Sequence, residues 1–131
     1  MSERWRDWLR QAEADLEHAR KAIEARHHEW ACFAAQQGAE KAVKAVHLAR
    51  GQEAWGHSVT ELLEALRAEI AEIDQDLLDR ARTLDKVYVT ARCPNGLPAG
   101  APADYFTRSE AERSIADAEV ILAVCRRALP G

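Results

Sequence analysis

Apolar positions recur at the helical period along most of the chain. Placed at about 100° per residue, Trp5, Trp8, Leu9, Ala12, Leu16, Ala19 and Ile23 fall in one stripe. That pattern predicts an amphipathic helix over roughly residues 3–26. A second helix is predicted over roughly residues 29–50. Its stripe of Ala31, Ala35, Gly38, Ala42, Ala45 and Ala49 is entirely small, which lets another helix axis come close. The opposite side carries Phe33, Gln37, Glu40 and Lys44, with Glu40 and Lys44 in the favourable i,i+4 order. Gly51 supplies a C′ stop. The break between the first two helices, at "EARHHEW", contains neither Gly nor Pro, so the stripes alone place it.

Further on, "SVTE" (Ser58 to Glu61) reads as a capping box. Val59, Leu62, Leu63, Leu66, Ile70 and Ile73 follow on one face and predict a third helix. Asp74 is the N-cap of a fourth, whose face is Leu77, Ala81, Leu84 and Tyr88. A Pro/Gly-rich loop spans 91–106, and "TRSE" (Thr107 to Glu110) then starts the last helix with a second capping box. That helix aligns Ala111, Ile115, Ala118, Leu122, Cys125 and Leu129, with Val120 and Val124 on its back, a pattern of burial on two sides. No segment alternates with period two for long. The fold expected is all-α, an up-and-down antiparallel bundle of about five helices in a single domain over 1–131. A loop as long as 91–106 in a compact domain is functional or mobile.

Composition narrows the function classes. The chain has 131 residues, 47% hydrophobic and 31% charged, with net charge −4 and both signs interspersed. A core of useful size is within reach without disulfides or metal. No basic excess marks a duplex-binding surface, so nucleic-acid binding would need a local patch. Cys32, Cys93 and Cys125 are odd in number and far apart, which fits free thiols in a reducing cytosol. The first residues lack the apolar core of a signal peptide, and no apolar run approaches a membrane span. A cytoplasmic protein without membrane association is expected.

Three groups of residues carry candidate chemistry. Asp85, Tyr88 and Arg92, at i, i+3 and i+7, share one edge of the fourth helix just before the long loop. Arg92 can fork a phosphate, with Tyr88 stacking or hydrogen-bonding and Asp85 orienting the arginine. The same spacing equally describes an ion pair tying down a helix C-terminus, where a cation is favoured. Lys41 and Lys44, beside Gln37 and Glu40, can attract an anion, although the pattern favours a solvated face. His57, just before the Ser58 cap, is either a general acid/base or a turn residue. Among the histidines and cysteines there is no HExxH and no metal-ligand spacing, and no Walker-type loop or nucleophile elbow occurs. No metal and no resident cofactor are expected.

Four pieces in order, "AEADLEHAR" (Ala12 to Arg20), "ACFAAQQGAEKAVKAV" (Ala31 to Val46), "GHSVTELLEAL" (Gly56 to Leu66) and "YVTARCPN" (Tyr88 to Asn95), resemble the HEPN domain family. The likeness extends along nearly the whole chain. It implies an up-and-down helical bundle, commonly a homodimer, of the small prokaryotic stand-alone type. It also implies kinship with the helical substrate-binding domain of kanamycin-type nucleotidyltransferases. Small members are often encoded beside a minimal nucleotidyltransferase, as a two-gene toxin–antitoxin-like pair. Some members are metal-independent ribonucleases that use an arginine and a histidine with four to six residues between them, paired across the dimer. Arg92 matches the arginine, but Leu97, Pro98 and Ala99 stand where the histidine should fall. Arg20 with His27 and Arg50 with His57 satisfy the spacing on the wrong segments, as chance allows in so arginine-rich a chain.

The function expected is therefore a helper that binds a nucleotide or anion and partners a minimal nucleotidyltransferase. Arg92 would meet phosphate, Tyr88 the base or sugar, and Lys41 or Lys44 would add positive charge. The alternatives are a metal-independent ribonuclease acting through Arg92 and His57, and a non-catalytic dimerisation module.

Overall fold

The computed structural model describes residues 3–131. Helix α1 (Trp5–Glu24) buries Trp5, Ala12, Leu16, Ala19, Ala22 and Ile23. It ends where His27 N–H donates to the Ala22 carbonyl at 2.8 Å and Arg26 N–H to that of Ile23 at 3.0 Å. This is a Schellman closure, and Arg26 takes the left-handed position at φ 64°. Glycine normally fills that place, so the chain turns sharply without the residue that would announce the turn.

Helix α2 (His28–Ala49) is the centre of the bundle. It packs against α1 along its small stripe. A Cβ built on Gly38 would lie 3.0 Å from the Ala12 carbonyl oxygen, so the two backbones meet where the second helix has no side chain. Near the other end of the pair, the Lys44 ammonium sits 5.8 Å from the Trp8 ring centre. The two helices thus form an antiparallel hairpin. Gly51, at φ 71°, closes α2 with the motif that ends α1, Gln52 N–H donating to His47 O at 2.9 Å.

Helix α3 (Val59–Glu64) starts at Ser58, whose hydroxyl accepts from Glu61 N–H at 3.1 Å. The pattern predicts that it continues to Ile73. Instead the chain leaves the helix after Glu64 and continues as turns, with Leu66 N–H on Leu63 O and Ile73 N–H on Ile70 O. Val59, Leu62, Leu63, Leu66, Ile70 and Ile73 are all buried regardless. Tight turns with i→i+3 bonds repeat every three residues and keep these positions on the core side.

Helix α4 (Gln75–Asp85) is capped by Asp74, whose carboxylate accepts from Leu77 N–H at 2.9 Å. Helix α5 (Val87–Thr90) follows after Lys86 alone. The segment 91–106 carries a 3-10 turn at Pro94–Gly96 and a single-turn helix α6 (Pro102–Tyr105). Helix α7 (Arg108–Ala128) opens with the expected reciprocal box between Thr107 and Glu110. It runs antiparallel to α1, with Arg20 bonded to Glu119 at 2.8 Å and Arg126 to Glu13 at 2.9 Å. Of its two back residues, Val124 is buried and Val120 is exposed.

Among the described residues every regular element is helical. Leu63, Leu66, Leu78, Leu84, Ile121 and Leu122 are closed to solvent, each contributing about 1.5–3 kcal/mol by burial. No helix among the described residues is long and apolar enough to cross a membrane.

Candidate functional site

Three segments converge beside the C-terminal end of α4. Tyr88 and Arg92 come from α5 and the turn after it, one helical turn apart. The Arg92 Nε–H donates to the Tyr88 carbonyl at 2.9 Å. Its guanidinium carbon lies 4.5 Å from the Tyr88 ring centre and 4.8 Å from that of Phe33 on α2. Arg92 forms no ion pair among the described residues. A backbone carbonyl and two aromatic rings hold a planar cation that no carboxylate neutralises.

His57, in the loop before α3, completes the group. Its imidazole stacks on the Tyr88 ring with centroids 4.9 Å apart and an 18° angle between planes. Its Nδ1 lies 3.4 Å from Glu40 Oε1, while the side chain remains 60% exposed. Glu40 itself is buried and is anchored by Lys44 Nζ at 3.0 Å and Gln37 Nε2 at 3.3 Å. The rings continue along α2, from Tyr88 to Phe33 at 6.1 Å and from Phe33 to Trp30 at 6.0 Å.

Asp85 does not orient Arg92. Its carboxylate faces the start of α3 and accepts from Val59 N–H at 3.0 Å, Thr60 N–H at 2.9 Å and the Thr60 hydroxyl at 2.7 Å. The Ser58 hydroxyl and Gln36 Nε2 also point to it, each at 3.3 Å. Asp85 therefore caps α3 from a distance in sequence. The amides it takes are those that a short helix leaves unpaired at its N-terminus. On the edge shared with Tyr88 and Arg92, the carboxylate is drawn away by these stronger partners.

The expected solvated face on α2 is likewise corrected. Glu40 and Lys44 are buried and paired with each other, and Lys41 donates to Asp15 on α1 at 2.6 Å. Both lysines are neutralised by carboxylates, so neither is a free anion-attracting charge. The reason is topological: α2 is the central helix, with α1, α3, α5 and α7 packed around it, so its polar side is covered too.

Sequence reasoning missed Gln36 and the role of Glu40. The fully buried Gln36 donates to the His57 carbonyl at 2.9 Å and accepts from Gln37, linking the histidine loop to α2. The helical spacing of Gln36 and Glu40 was readable, but nothing local distinguishes a buried polar run from a solvated one. Chemically, the site offers a guanidinium, unpaired among the described residues, for an anionic oxygen, and beside it an imidazole whose ring nitrogens can donate or accept a hydrogen bond.

With this geometry in hand, comparison with known proteins gives a consistent result. The HEPN domain family model matches residues 5–128. The crystal structure of TT1696 from Thermus thermophilus superposes with a TM-score of 0.94 at 46% identity, covering 98% of this chain and 100% of that one. ST0689, an archaeal HEPN homologue, gives 0.80 at 39% identity, covering 96% and 98%. A curated relative from Methanocaldococcus jannaschii, named "Putative toxin MJ1304", is 28% identical over 127 residues, covering 91% of this chain and 84% of that protein.

Proposed function

The chain belongs to the HEPN domain family, and from that premise we propose that it is a nucleotide- or anion-binding helper of a minimal nucleotidyltransferase. The pair would form a two-gene, toxin–antitoxin-like system, with this chain acting as a homodimer. The observation that carries the reading is Arg92. Its guanidinium is fixed by Tyr88 O, Tyr88 and Phe33, yet pairs with no carboxylate among the described residues. A cation held in place without a counter-ion loses little side-chain entropy on meeting a phosphate. Tyr88 and His57 beside it offer ring surface for a base or sugar. The name of the Methanocaldococcus relative supports the toxin–antitoxin context. A tagged pull-down from the source organism, read by mass spectrometry, tests the proposal. Recovery of a small nucleotidyltransferase in near-equal amount supports it. Recovery of the protein alone, or with RNA, removes the helper role.

The contact between His57 and Glu40 favours a second reading, a metal-independent ribonuclease. The histidine missing after Arg92 in the chain would be replaced in space by His57. Glu40 would orient the imidazole through Nδ1, leaving Nε2 to exchange a proton while Arg92 holds a phosphate oxygen. RNA cleavage in EDTA that disappears in both Arg92→Ala and His57→Ala supports this reading. Cleavage that survives both changes ends it.

A further inference from the structure

Taking His57, Tyr88 and Arg92 as one site, the reading given above, we propose that Gln36 is its positioning residue. From within α2 it latches the backbone of His57, and that latch keeps the imidazole on the Tyr88 ring and beside Glu40.

The loop that carries His57 has little else to hold it. Among the described residues, no backbone–backbone hydrogen bond involves residues 53–57. Ala54 rests on the core, while Trp55 is 81% exposed. Gly56, immediately before the histidine, has φ 90°, and a Cβ built on it would meet nothing within 4 Å. A glycine in open space with a positive φ is a free pivot. Asp85 grips the chain only from Ser58 onward, through the Ser58 and Thr60 hydroxyls and the N–H groups of Val59 and Thr60. Gln36 extends that grip back by one residue, onto the His57 carbonyl at 2.9 Å.

The amide can do this in one orientation only. The His57 carbonyl and the Asp85 carboxylate both accept, so Nε2 must face them, at 2.9 and 3.3 Å. The Gln36 Oε1 then accepts from Gln37 Nε2 at 2.9 Å. A flipped amide would set oxygen against oxygen. Gln37 Nε2 also donates to Glu40 Oε1 at 3.3 Å, and that same oxygen lies 3.4 Å from His57 Nδ1. One chain of polar contacts thus runs from the backbone of His57 round to its own ring. Gln36 is fully buried in a helix whose buried positions are mostly small or apolar. An apolar side chain could fill that place with no amide to desolvate, so packing does not call for glutamine. What the amide adds is its hold on His57 and Asp85.

NMR of the ligand-free protein tests the assignment on the His57 ring and backbone. In the parent, NOEs should join the His57 and Tyr88 rings, and the His57 amide should have the order parameter of rigid backbone, about 0.85. Gln36→Met keeps the length of the side chain and removes the amide. It should abolish the ring–ring NOEs and bring the His57 order parameter below about 0.6, while the melting curve still reports a folded bundle. Tyr88→Leu is the reciprocal variant, removing the stack and leaving the latch. In it the His57 backbone should stay as rigid as in the parent. The proposal is overturned if folded Gln36→Met keeps the ring–ring NOEs, or if Tyr88→Leu frees the His57 backbone, which would make the stack the hold. The Tyr88→Leu result decides by itself should Gln36→Met fail to fold. No ligand is added, so a failure of the site to bind phosphate or a partner, which would end the reading above, leaves these signals unchanged.

Discussion

The His57 imidazole lies on the Tyr88 ring at 4.9 Å, and the carbonyl of the same histidine accepts a hydrogen bond from the buried Gln36. One contact joins the histidine loop to α5, the other to α2. His57 is therefore presented by two elements distant in sequence, and Arg92 shares its tyrosine.

Arg92 contacts its own helix and two rings but closes no part of the core. Arg92→Ala is expected to change stability by less than about 1 kcal/mol while weakening phosphate binding at this site. Thermal melting and phosphate or nucleotide titration of the same variant check both halves. Loss of the fold would make the arginine structural.

Asp85 behaves in the opposite way. It satisfies two backbone amides, two hydroxyls and an amide side chain at once. Asp85→Ala strands these donors and should cost about 3 kcal/mol, beyond one lost neutral hydrogen bond. A urea midpoint measures it. A change below about 1 kcal/mol would contradict the capping role.

Arg26 occupies a left-handed backbone position that costs a non-glycine residue about 1–2 kcal/mol. Glycine removes that strain but gains freedom in the unfolded chain. Arg26→Gly should therefore stabilise by about 0.5–1 kcal/mol, raising Tm by a few degrees. Calorimetry gives the sign directly.

The three cysteines should separate by reactivity. Cys32 and Cys125 are buried and Cys93 is half-exposed. Burial pushes the Cys125 thiol up to about 12 and raises that of Cys32. A raised thiol pKa leaves the group neutral and unreactive at pH 8. Native protein at that pH should give one rapidly titrated thiol with a disulfide reagent, and denatured protein three.

Much of the fold was legible because helix faces and caps are local. The stripe of α1, the Asp74 and Thr107 caps and the Gly51 stop need only a few neighbouring residues to be read. The first turn was less legible because an arginine stands where glycine would mark it. The early end of α3 was hidden because three-residue turns bury the same apolar positions that a continued helix would.

The candidate site divides along the same line. Tyr88 and Arg92 could be paired from their spacing, since helix geometry sets one turn between them. What their neighbours do depends on partners far along the chain. Asp85 turns to the α3 amides, Lys41 to Asp15, and Glu40 to Lys44 and His57. The chain by itself determined an all-helical bundle, its caps and the edge that bears Arg92, because these follow from short-range periodicity and backbone chemistry. Only the tertiary structure decided which charges remain unpaired, because the free energy of a charged group depends on the partners and burial that packing brings to it.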